Sequence, residues 1–487
     1  MARVNRQQNT NLARNVIMFL GDGMSIPTLA AARTHLGQRI GHSGEETQLS
    51  FEKFPFSGLA KTYCVNGQVA DSACSATAFL CGIKANEATI GVTAAVKYKD
   101  CEAERNKSNH VESIAHFSQL SGKRTGIITT TTITHATPAG AYAHTSYRGW
   151  ESDANVIADD KNPNRCPDIA SQLVNGDTGR NFNVIFGGGR KNFLPKNVKD
   201  EDGKFGVRLD GRNLINEWKG GKRDAKHEYV YNLSGLKVIE DDTEFSLGLF
   251  ASGHMSYNLD RNETQEPSLE EMTIKAIKLL SKSNKGFFLF VEGGRIDHAH
   301  HKTLPRKALD ETIEFHKAIQ AAVELTDELE TLIVVTSDHA HTMSMNGYPS
   351  RGNDVLGIAG YGNDNLPYTS LSYANGPGKK TDENGNRVDI TRHNLSDPSY
   401  AYPSYIPLNG ETHGGDDVAV FASGPWAHLF SGVIEQNVIP HVIKFASCVG
   451  EDNSTCSSNV NSGASSFRAS LSFLCLFLTS IHYVNWC

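Results

Sequence analysis

Six short apolar runs without polar alternation are the feature that most constrains how this chain can fold. A strand with one face in water alternates polar and apolar residues, whereas a strand in a parallel sheet is covered on both faces and is apolar throughout. Helical patterns lie between the runs, and this alternation favours an α/β fold, doubly wound around a mostly parallel central sheet flanked by helices. The runs are Asn15–Leu20, Gly126–Thr130, Asn183–Phe186, Phe287–Val291, Leu332–Thr336 and Val418–Ala422.

The segments between the runs divide into helix candidates and one stretch of a different character. Ser268 opens a capping box with Glu271, which predicts a helix start. Residues 343–411 are rich in Gly, Asn, Tyr and Pro and have little periodicity, so we expect an inserted surface subdomain there. The predicted helices are Val111–Leu120, Ser268–Ser281, Lys307–Leu325 and Val433–Phe445.

Acidic residues stand just after three of the apolar runs. Asp22 follows the first run, Glu292 follows Phe287–Val291, and Asp338 follows Leu332–Thr336 after one serine. Ligands of open α/β sheets bind beyond the carboxyl ends of the strands, so we expect these carboxylates to meet in one crevice. A buried carboxylate needs a partner, and a metal ion is one.

Several other side chains extend this set toward a metal centre. Asp297 and His301 are four residues apart, and on one helical turn they could grip a zinc ion together. His339 adjoins Asp338, and His413 is a candidate third ligand. A polar surface turn is the alternative for the His-rich tract, and Thr137, whose hydroxyl is a poor ligand, is in isolation a structural residue. Neither a thiolate zinc pattern nor His-Glu-x-x-His occurs.

Ser72 is the candidate nucleophile, since it opens a run of small residues that resembles a helix start. A serine hydroxyl needs a base or a metal to react, and without a Gly-x-Ser-x-Gly elbow a metal is the better activator. The alternative is that Ser72 or Asp71 only caps the helix. Arg148 could pair with a phosphate bidentately, although a lone arginine is usually a solvated surface charge. Together these segments predict metal-assisted phosphoryl transfer through a serine.

Charge and motif spacing weigh against other functions. The net charge of −7, without a basic run, argues against nucleic acid as a partner. A phosphodiesterase or sulfatase would use similar ligands, but the segment after Ser72 lacks the Cys/Ser-x-Pro-x-Arg motif of sulfatases. A zinc-binding adhesion protein would not need both Ser72 and Arg148. Residues Phe186–Gly189 lack the GxGxxG spacing of a dinucleotide site.

Cysteines and sequons favour a secreted or cell-surface protein. Of the nine cysteines, Cys448 and Cys456 flank a short polar loop that suits a local disulfide. The N-terminus has no apolar stretch of the kind found in signal peptides; if the lipid anchor described below is present, we expect the true start of the protein to be missing or misassigned here. The candidate glycosylation sites are Asn106, Asn232, Asn262, Asn394 and Asn453.

The C-terminal residues have the order of a GPI-attachment signal. Small residues at 461–463 are followed by a polar spacer to Ser470 and an apolar run, Leu471–Ile481, which is too short to span a membrane. We therefore expect attachment at Asn461 and removal of the signal at 467–487, giving a lipid anchor in the outer leaflet of the plasma membrane. A buried terminal helix is the alternative.

At these residues the chain resembles the alkaline phosphatases, specifically the animal, GPI-anchored branch, over Asn15 to Cys456. Val69–Thr77 fits the nucleophile signature of the family, and Phe290–His298 is close to its animal form. The resemblance implies a catalytic domain over residues 1–466 that hydrolyses phosphate monoesters of broad specificity. It also implies a phosphoserine intermediate, an alkaline optimum, two zinc ions and one magnesium ion.

The resemblance also assigns roles to the candidate residues. Ser72 would be the nucleophile, and Arg148, oriented by Asp71, would hold the phosphate. His135 and His341 would lie behind the ligands and support them. One zinc would take Asp297, His301 and His413, the other Asp22, Asp338, His339 and Ser72, and magnesium Asp22, Thr137 and Glu292.

Three further expectations come from the family alone. Disulfides Cys101–Cys166 and Cys448–Cys456 are implied, whereas Cys64 and Cys74 have no assignable family role. A homodimer is implied, with residues 347–411 as its crown, and the nearly absent N-terminal arm would weaken it. Ala251 stands where many animal members have a glutamate, which counts against the extra calcium site of the family.

Overall fold

A computed structural model describes residues 8–378 and 380–450, and a ten-stranded sheet forms its centre. The ten strands of this sheet are β1 (Asn15–Gly21), β2 (Phe56–Lys61), β3 (Arg124–Thr132), β4 (Val184–Gly188), β5 (His227–Val230), β6 (Phe245–Leu249), β7 (Phe287–Gly293), β8 (Thr331–Ser337), β16 (Val418–Ser423) and β17 (Gly432–Glu435). Their spatial order is β17-β2-β16-β8-β1-β7-β3-β4-β6-β5.

Helices pack against this sheet. Three of the four predicted helices begin within three residues of the predicted position, and the fourth is discussed below. The described helices are α1 (Ile26–Arg39), α2 (Ser72–Ala76), α3 (Cys101–Arg105), α4 (Ile114–Leu120), α5 (Ala136–Ala139), α6 (Asp153–Ala158), α7 (Ile169–Asn175), α8 (Leu214–Gly221), α9 (Leu233–Val238), α10 (Leu269–Leu280), α11 (Arg295–His301), α12 (Pro305–Leu325) and α13 (Ile439–Ser447). Short strands are β9 (Ala340–His341), β10 (Met343–Met345), β11 (Ile358–Tyr361), β12 (Pro367–Thr369), β13 (Leu371–Gly376), β14 (Ser404–Pro407) and β15 (His413–Gly414).

The predicted α/β sheet is confirmed, and β1 illustrates why its strands are apolar throughout. Val16 and Leu20 pack in one hydrophobic core, whereas Ile17 and Phe19 pack in another. Successive side chains of a strand point to opposite faces, so both faces of the sheet are covered. The capping box at Ser268 is also present.

Strand register brings the acidic residues to one edge. β1 lies between β7 and β8 and is parallel to both, and Gly21 is level with Gly293 and with Ser337. The three strands therefore end together. Residues at or just beyond these ends are placed at the same edge of the sheet.

Two sequence predictions were wrong in part. Val418–Ala422 does form a strand, but β16 is antiparallel to both β8 and β2. The chain leaves β8 at its carboxyl end and returns at the same edge through His413, so β16 has to run in the opposite direction. A run of apolar residues carries no information about direction.

The second prediction that was wrong in part is the helix Val433–Phe445. Its first residues form β17, and the helix begins only at Ile439. Pro440 lies in the first turn of α13, where a missing backbone N–H costs nothing. A helix that began at Val433 would have placed this proline in its interior.

Residues 343–411 contribute short strands outside the main sheet. β10, β13 and β14 form one small sheet, and β11 and β12 form another. Their role as a separate crown remains a prediction.

Cysteine pairing is confirmed in part. The implied disulfide Cys101–Cys166 is formed, and a further one joins Cys64 to Cys74. The predictions for Asn453, Cys456, Asn461 and 467–487 lie outside the described residues. The remaining sequon asparagines are exposed or half-buried: Asn106, Asn232, Asn262 and Asn394.

Candidate active site

Ser72 is the first residue of α2 and is 2% exposed. Asp71 caps this helix, because its Oδ1 accepts a hydrogen bond from the backbone N–H of Cys74 at 3.1 Å. Ser72 therefore has no capping duty. Its hydroxyl is available for chemistry. Of the two capping residues that the sequence leaves open, Asp71 is the cap and Ser72 is not.

Oγ of Ser72 lies 3.2 Å from Nε2 of His339, and two carboxylates face the same nitrogen. Oδ2 of Asp338 is 3.0 Å away and Oδ1 of Asp22 is 3.5 Å away. In a Ser-His-Asp triad the carboxylate would hold Nδ1, whereas here Nδ1 faces the carbonyl of Ala340 at 3.3 Å. Four potential donors of electron pairs thus converge on one point, which is the arrangement of a metal centre and not of a triad.

A second cluster joins Asp297, His301 and His413. Nε2 of His301 and Nε2 of His413 are 3.2 Å apart, and each lies 3.3 Å from Oδ1 of Asp297. Nδ1 of each ring donates to a backbone carbonyl, that of Glu411 or that of Ala70. When the rings are neutral, both facing Nε2 atoms therefore carry a lone pair. These lone pairs would repel each other and the carboxylate of Asp297 unless a cation lay between them.

Behind this cluster, His341 links two buried carboxylates. Nε2 of His341 lies 2.7 Å from Oδ1 of Asp297, and its Nδ1 donates to the carboxylate of Glu411. Burial opposes a charge on this ring, but the Glu411 carboxylate raises the pKa of His341 to about 10. His341 therefore supports Asp297 from behind.

A third cluster, of oxygen atoms, joins Asp22 and Glu292, whose carboxylate oxygens lie within 4.8 Å of each other, and Thr137, whose side chain faces Glu292. All three residues are fully buried. Burial raises the pKa of Glu292 to about 7. Burial and then the charge of Asp338 raise the pKa of Asp22 well above its ordinary value. Acids that share one dry site cannot all ionise without a counter-charge.

Gly23 explains why glycine follows Asp22. Its φ is +66°, and a Cβ at this position would lie 2.3 Å from Cδ2 of His341. Its backbone N–H donates to Oδ1 of Asp338 at 3.0 Å. Only glycine allows the chain after β1 to pass this close to both clusters.

Arg148 is held beside the nucleophile. Its Nη1 lies 3.1 Å from Oδ2 of Asp71, and its Nη2 donates to Nε2 of His135 at 3.1 Å. Burial would raise the pKa of Asp71, but the charge of Arg148 and hydrogen bonds from Ala88 and Cys74 lower it. Asp71 is thus an anion that fixes the guanidinium in place. This contradicts the reading of Arg148 as a solvated surface charge.

His135 lies between Arg148 and the oxygen cluster as a neutral ring. Burial lowers its pKa well below the ordinary value. Because Nε2 accepts from Arg148, the ring proton sits on Nδ1, which has no partner. In this tautomer Nδ1 carries the ring proton and cannot be a ligand atom, and a ring nitrogen of His135 lies within 4.8 Å of carboxylate oxygens of Asp22 and Glu292.

The cluster around His339 and the oxygen cluster contain buried oxygen atoms that make no hydrogen bond, and such atoms are costly unless something else satisfies them. Four carboxylates lie within the same small volume, so the missing partner is cationic. The donor set fits metal ions: two nitrogen–oxygen clusters suit zinc and the oxygen cluster suits magnesium. The unpartnered atoms are Oδ1 and Oδ2 of Asp22, Oγ1 of Thr137, Oε1 of Glu292 and Oδ2 of Asp338.

The structure thus places the predicted catalytic, metal-binding and supporting residues in neighbouring clusters, and it adds others. Glu411 was missed, although it contacts both His301 and His341. Gln436 was also missed; its amide donates to the carbonyls of Ser337 and Asp338 and steadies the end of β8. Neither has a local motif that could have revealed it, since both depend on contacts distant in sequence.

Comparisons with known proteins identify the family of this chain. Residues 13–449 match the family described as alkaline phosphatase. A membrane-bound alkaline phosphatase of Bombyx mori is 51% identical over 455 residues, covering 92% of this chain and 83% of the relative. The tissue-nonspecific alkaline phosphatase of Homo sapiens is 45% identical, covering 97% of this chain and 91% of the relative.

Solved structures share the fold. The cold-active alkaline phosphatase of a Shewanella species superposes with a TM-score of 0.63 at 25% identity, covering 89% of this chain and 99% of that one. The enzyme of the Antarctic bacterium TAB5 gives 0.62 at 23% identity, covering 91% of this chain and all of that one. With the sequence match over nearly the whole chain, the conclusion is that this protein belongs to the alkaline phosphatase family.

Proposed function

We propose that this phosphomonoesterase acts through a phosphoserine formed on Ser72, with two zinc ions and one magnesium ion as cofactors. The observation that carries the proposal is the convergence of Ser72, Asp22 and Asp338 on Nε2 of His339. A serine hydroxyl among metal-binding groups, with an arginine alongside, fits the transfer of a phosphoryl group.

The clusters support a specific distribution of the metals. Asp297, His301 and His413 would hold one zinc, and the other would be held by Asp22, Asp338, His339 and Ser72. Magnesium would be held by Asp22, Thr137 and Glu292. When bound, the ions supply positive charge that stabilises an ionised serine, the leaving oxygen and the phosphoryl oxygens.

The residues of the chain account for the remaining steps. Oγ of Ser72 attacks phosphorus, the bond to the alkoxy oxygen breaks, and the alcohol leaves with a proton. Water then attacks the phosphoserine, and inorganic phosphate and the free hydroxyl of Ser72 are formed. Arg148, fixed by Asp71, binds two phosphoryl oxygens and orients the phosphorus toward Ser72.

One experiment tests this function directly. The purified protein is assayed with 4-nitrophenyl phosphate at alkaline pH, before and after removal of metals by a chelator, and again after zinc and magnesium are returned. We expect activity to be lost and then restored. Full activity in the metal-free protein would contradict the proposal. A bis-ester substrate in parallel distinguishes a diesterase, which would hydrolyse it at a comparable rate.

We further propose that the protein acts at the cell surface as a GPI-anchored homodimer. The Bombyx mori relative is named as membrane-bound, and the C-terminal residues have the order of an attachment signal. Within the described part of the chain, every helix is too short or too polar to cross a bilayer. Release of activity from cells by a phosphatidylinositol-specific phospholipase tests the anchor, and light scattering of the released protein tests the dimer.

A further inference from the structure

The disulfide between Cys64 and Cys74 cross-links the ends of the segment that contains the nucleophile Ser72. Its Cα atoms are 5.8 Å apart, and the ten-residue separation encloses Asp71 and Ser72. Both cysteines are buried, with 3% and 2% exposure. The active-site mechanism makes no use of this bond.

The enclosed segment buries little apolar surface and is otherwise held by separate hydrogen bonds, such as those at Val65, Asn66 and Asp71. Residues 62–71 contain no helix or strand. Val65 and Val69 are 51% and 41% exposed. Among residues 8–378 and 380–450, the two cysteines form a small cluster of buried apolar side chains with Ala70 and Ala85, separate from the main cores. Such a segment gains little from burial, so a covalent cross-link makes a large contribution to its order.

Cys74 connects the disulfide to the phosphate-binding group. Its backbone N–H holds Oδ1 of Asp71 at 3.1 Å, and Oδ2 of Asp71 holds Nη1 of Arg148 at 3.1 Å. Cys74 lies two residues after Ser72 in the first turn of the same helix. A shift of Cys74 would therefore move both the nucleophile and the arginine.

Cys64 connects the disulfide to His413, a proposed zinc ligand. The segment that begins at Cys64 includes Ala70, whose carbonyl accepts a hydrogen bond from Nδ1 of His413 at 2.7 Å. One short loop thus supports Ser72, Arg148 through Asp71, and His413.

We propose that the Cys64–Cys74 disulfide is a positioning element for phosphoryl transfer, which holds Ser72 and Arg148 in the relative placement that catalysis needs. This inference rests on the proposed function of Ser72. Because small misplacements of reacting groups are costly, loss of the bond should lower kcat/KM by roughly 10- to 100-fold.

The test compares two double variants of the metal-loaded enzyme. Cys64→Ala/Cys74→Ala removes this bond, and Cys101→Ala/Cys166→Ala removes a second disulfide, whose longer segment includes Arg148 but whose cysteines pack with Trp150 and Val156 and not beside Ser72. For each, kcat and KM for 4-nitrophenyl phosphate, the inhibition constant of inorganic phosphate, zinc content and the Tm are measured.

We expect the first variant to bind zinc and to show a lower kcat and weaker phosphate inhibition at a temperature where it is folded. The control should have a lower Tm but kcat and phosphate inhibition within about twofold of the wild type. A first variant with wild-type kcat and phosphate inhibition would overturn the proposal, as would equal losses in both variants.

If the first variant does not fold, the native enzyme is reduced with a dithiol and alkylated, and the modified cysteines are mapped by mass spectrometry. Loss of phosphate inhibition should then follow modification of Cys64 and Cys74, and independence from it would refute the inference. Wild-type and Ser72→Ala enzymes are assayed alongside. Full activity of Ser72→Ala would reject the proposed function itself, whereas a loss in Ser72→Ala with no effect of the disulfide would reject only the positioning role.

Discussion

Oγ of Ser72 and Nε2 of His339 are 3.2 Å apart, yet this pair is not a nucleophile and its general base. The carboxylate of Asp338 faces the same ring nitrogen and not the opposite one. Burial lowers the pKa of His339, so the ring presents a lone pair to these oxygens. The geometry is that of ligands around a cation.

Replacing Ser72 by alanine should abolish the covalent phosphoenzyme and lower kcat at least about a thousandfold, because no other hydroxyl occupies this position. Acid quenching after incubation with radiolabelled phosphate measures the intermediate. Ser75→Ala is the matched control, since Ser75 lies in the same helix and its hydroxyl only donates to the carbonyl of Asp71. A phosphoserine mapped to another residue would contradict the assignment.

Arg148→Ala should raise KM and weaken inhibition by inorganic phosphate by about tenfold or more, with part of kcat retained because the metal ligands are intact. Arg148→Lys keeps the charge but cannot bind phosphate bidentately, so its KM and its inhibition constant for phosphate should lie between those of the wild type and Arg148→Ala. Arg14→Ala removes an exposed ion pair with Glu330 and serves as the control. An unchanged inhibition constant in Arg148→Ala would show that this arginine does not bind phosphate.

Glu411→Gln should weaken zinc binding by roughly 10- to 100-fold, because Glu411 supports His341 and, through it, Asp297. Competition with a zinc chelator measures the affinity without reference to activity. Glu46→Gln, at an exposed glutamate, is the control. Equal zinc affinities in the two variants would exclude a supporting role for Glu411.

Glu104→Gln should change how stability depends on pH. Burial raises the pKa of Glu104 to about 7, against an ordinary value of 4.5. Between these values the folded protein binds more protons than the unfolded chain, so the free energy of unfolding falls as pH rises. The stability that protonation supplies is complete below about pH 4.5 and lost above about pH 7.

The glutamine variant has no such titration, so its stability should decline less over this range, by about 3 kcal/mol at most. Denaturant unfolding of both proteins at several pH values measures the difference. Parallel curves for wild type and variant would mean that Glu104 ionises normally in the folded state.

The central sheet and most of the site could be predicted because both follow from local sequence. Apolar runs identify buried strands, and residues after parallel strands meet at one edge, as Asp22, Glu292 and Asp338 do. The direction of β16 could not be predicted, since it depends on where residues 343–414 return to the sheet. Likewise, Glu411 acts through side chains far away in the sequence.

The pairing of Cys64 with Cys74 could not be predicted from the sequence for a different reason. Nine cysteines allow many pairings, and spacing does not select among them. Thr137 and His135 had weak local signals, because a hydroxyl and a single imidazole are common structural groups. Their significance depends on the unpartnered atoms that surround them in the folded chain.

The common end of β7, β1 and β8 has a practical consequence for engineering. The three acids at or just beyond these strand ends keep their mutual distances as long as the backbone ladders keep their register. We expect insertions on the opposite edge of the sheet, such as in the turn at 326–330 before β8, to have little effect on turnover, although they would break hydrogen bonds from Asn9 and Asn11 to this turn. A single-residue deletion within β1, by contrast, would redirect Asp22 and inactivate the enzyme even if the chain still folded.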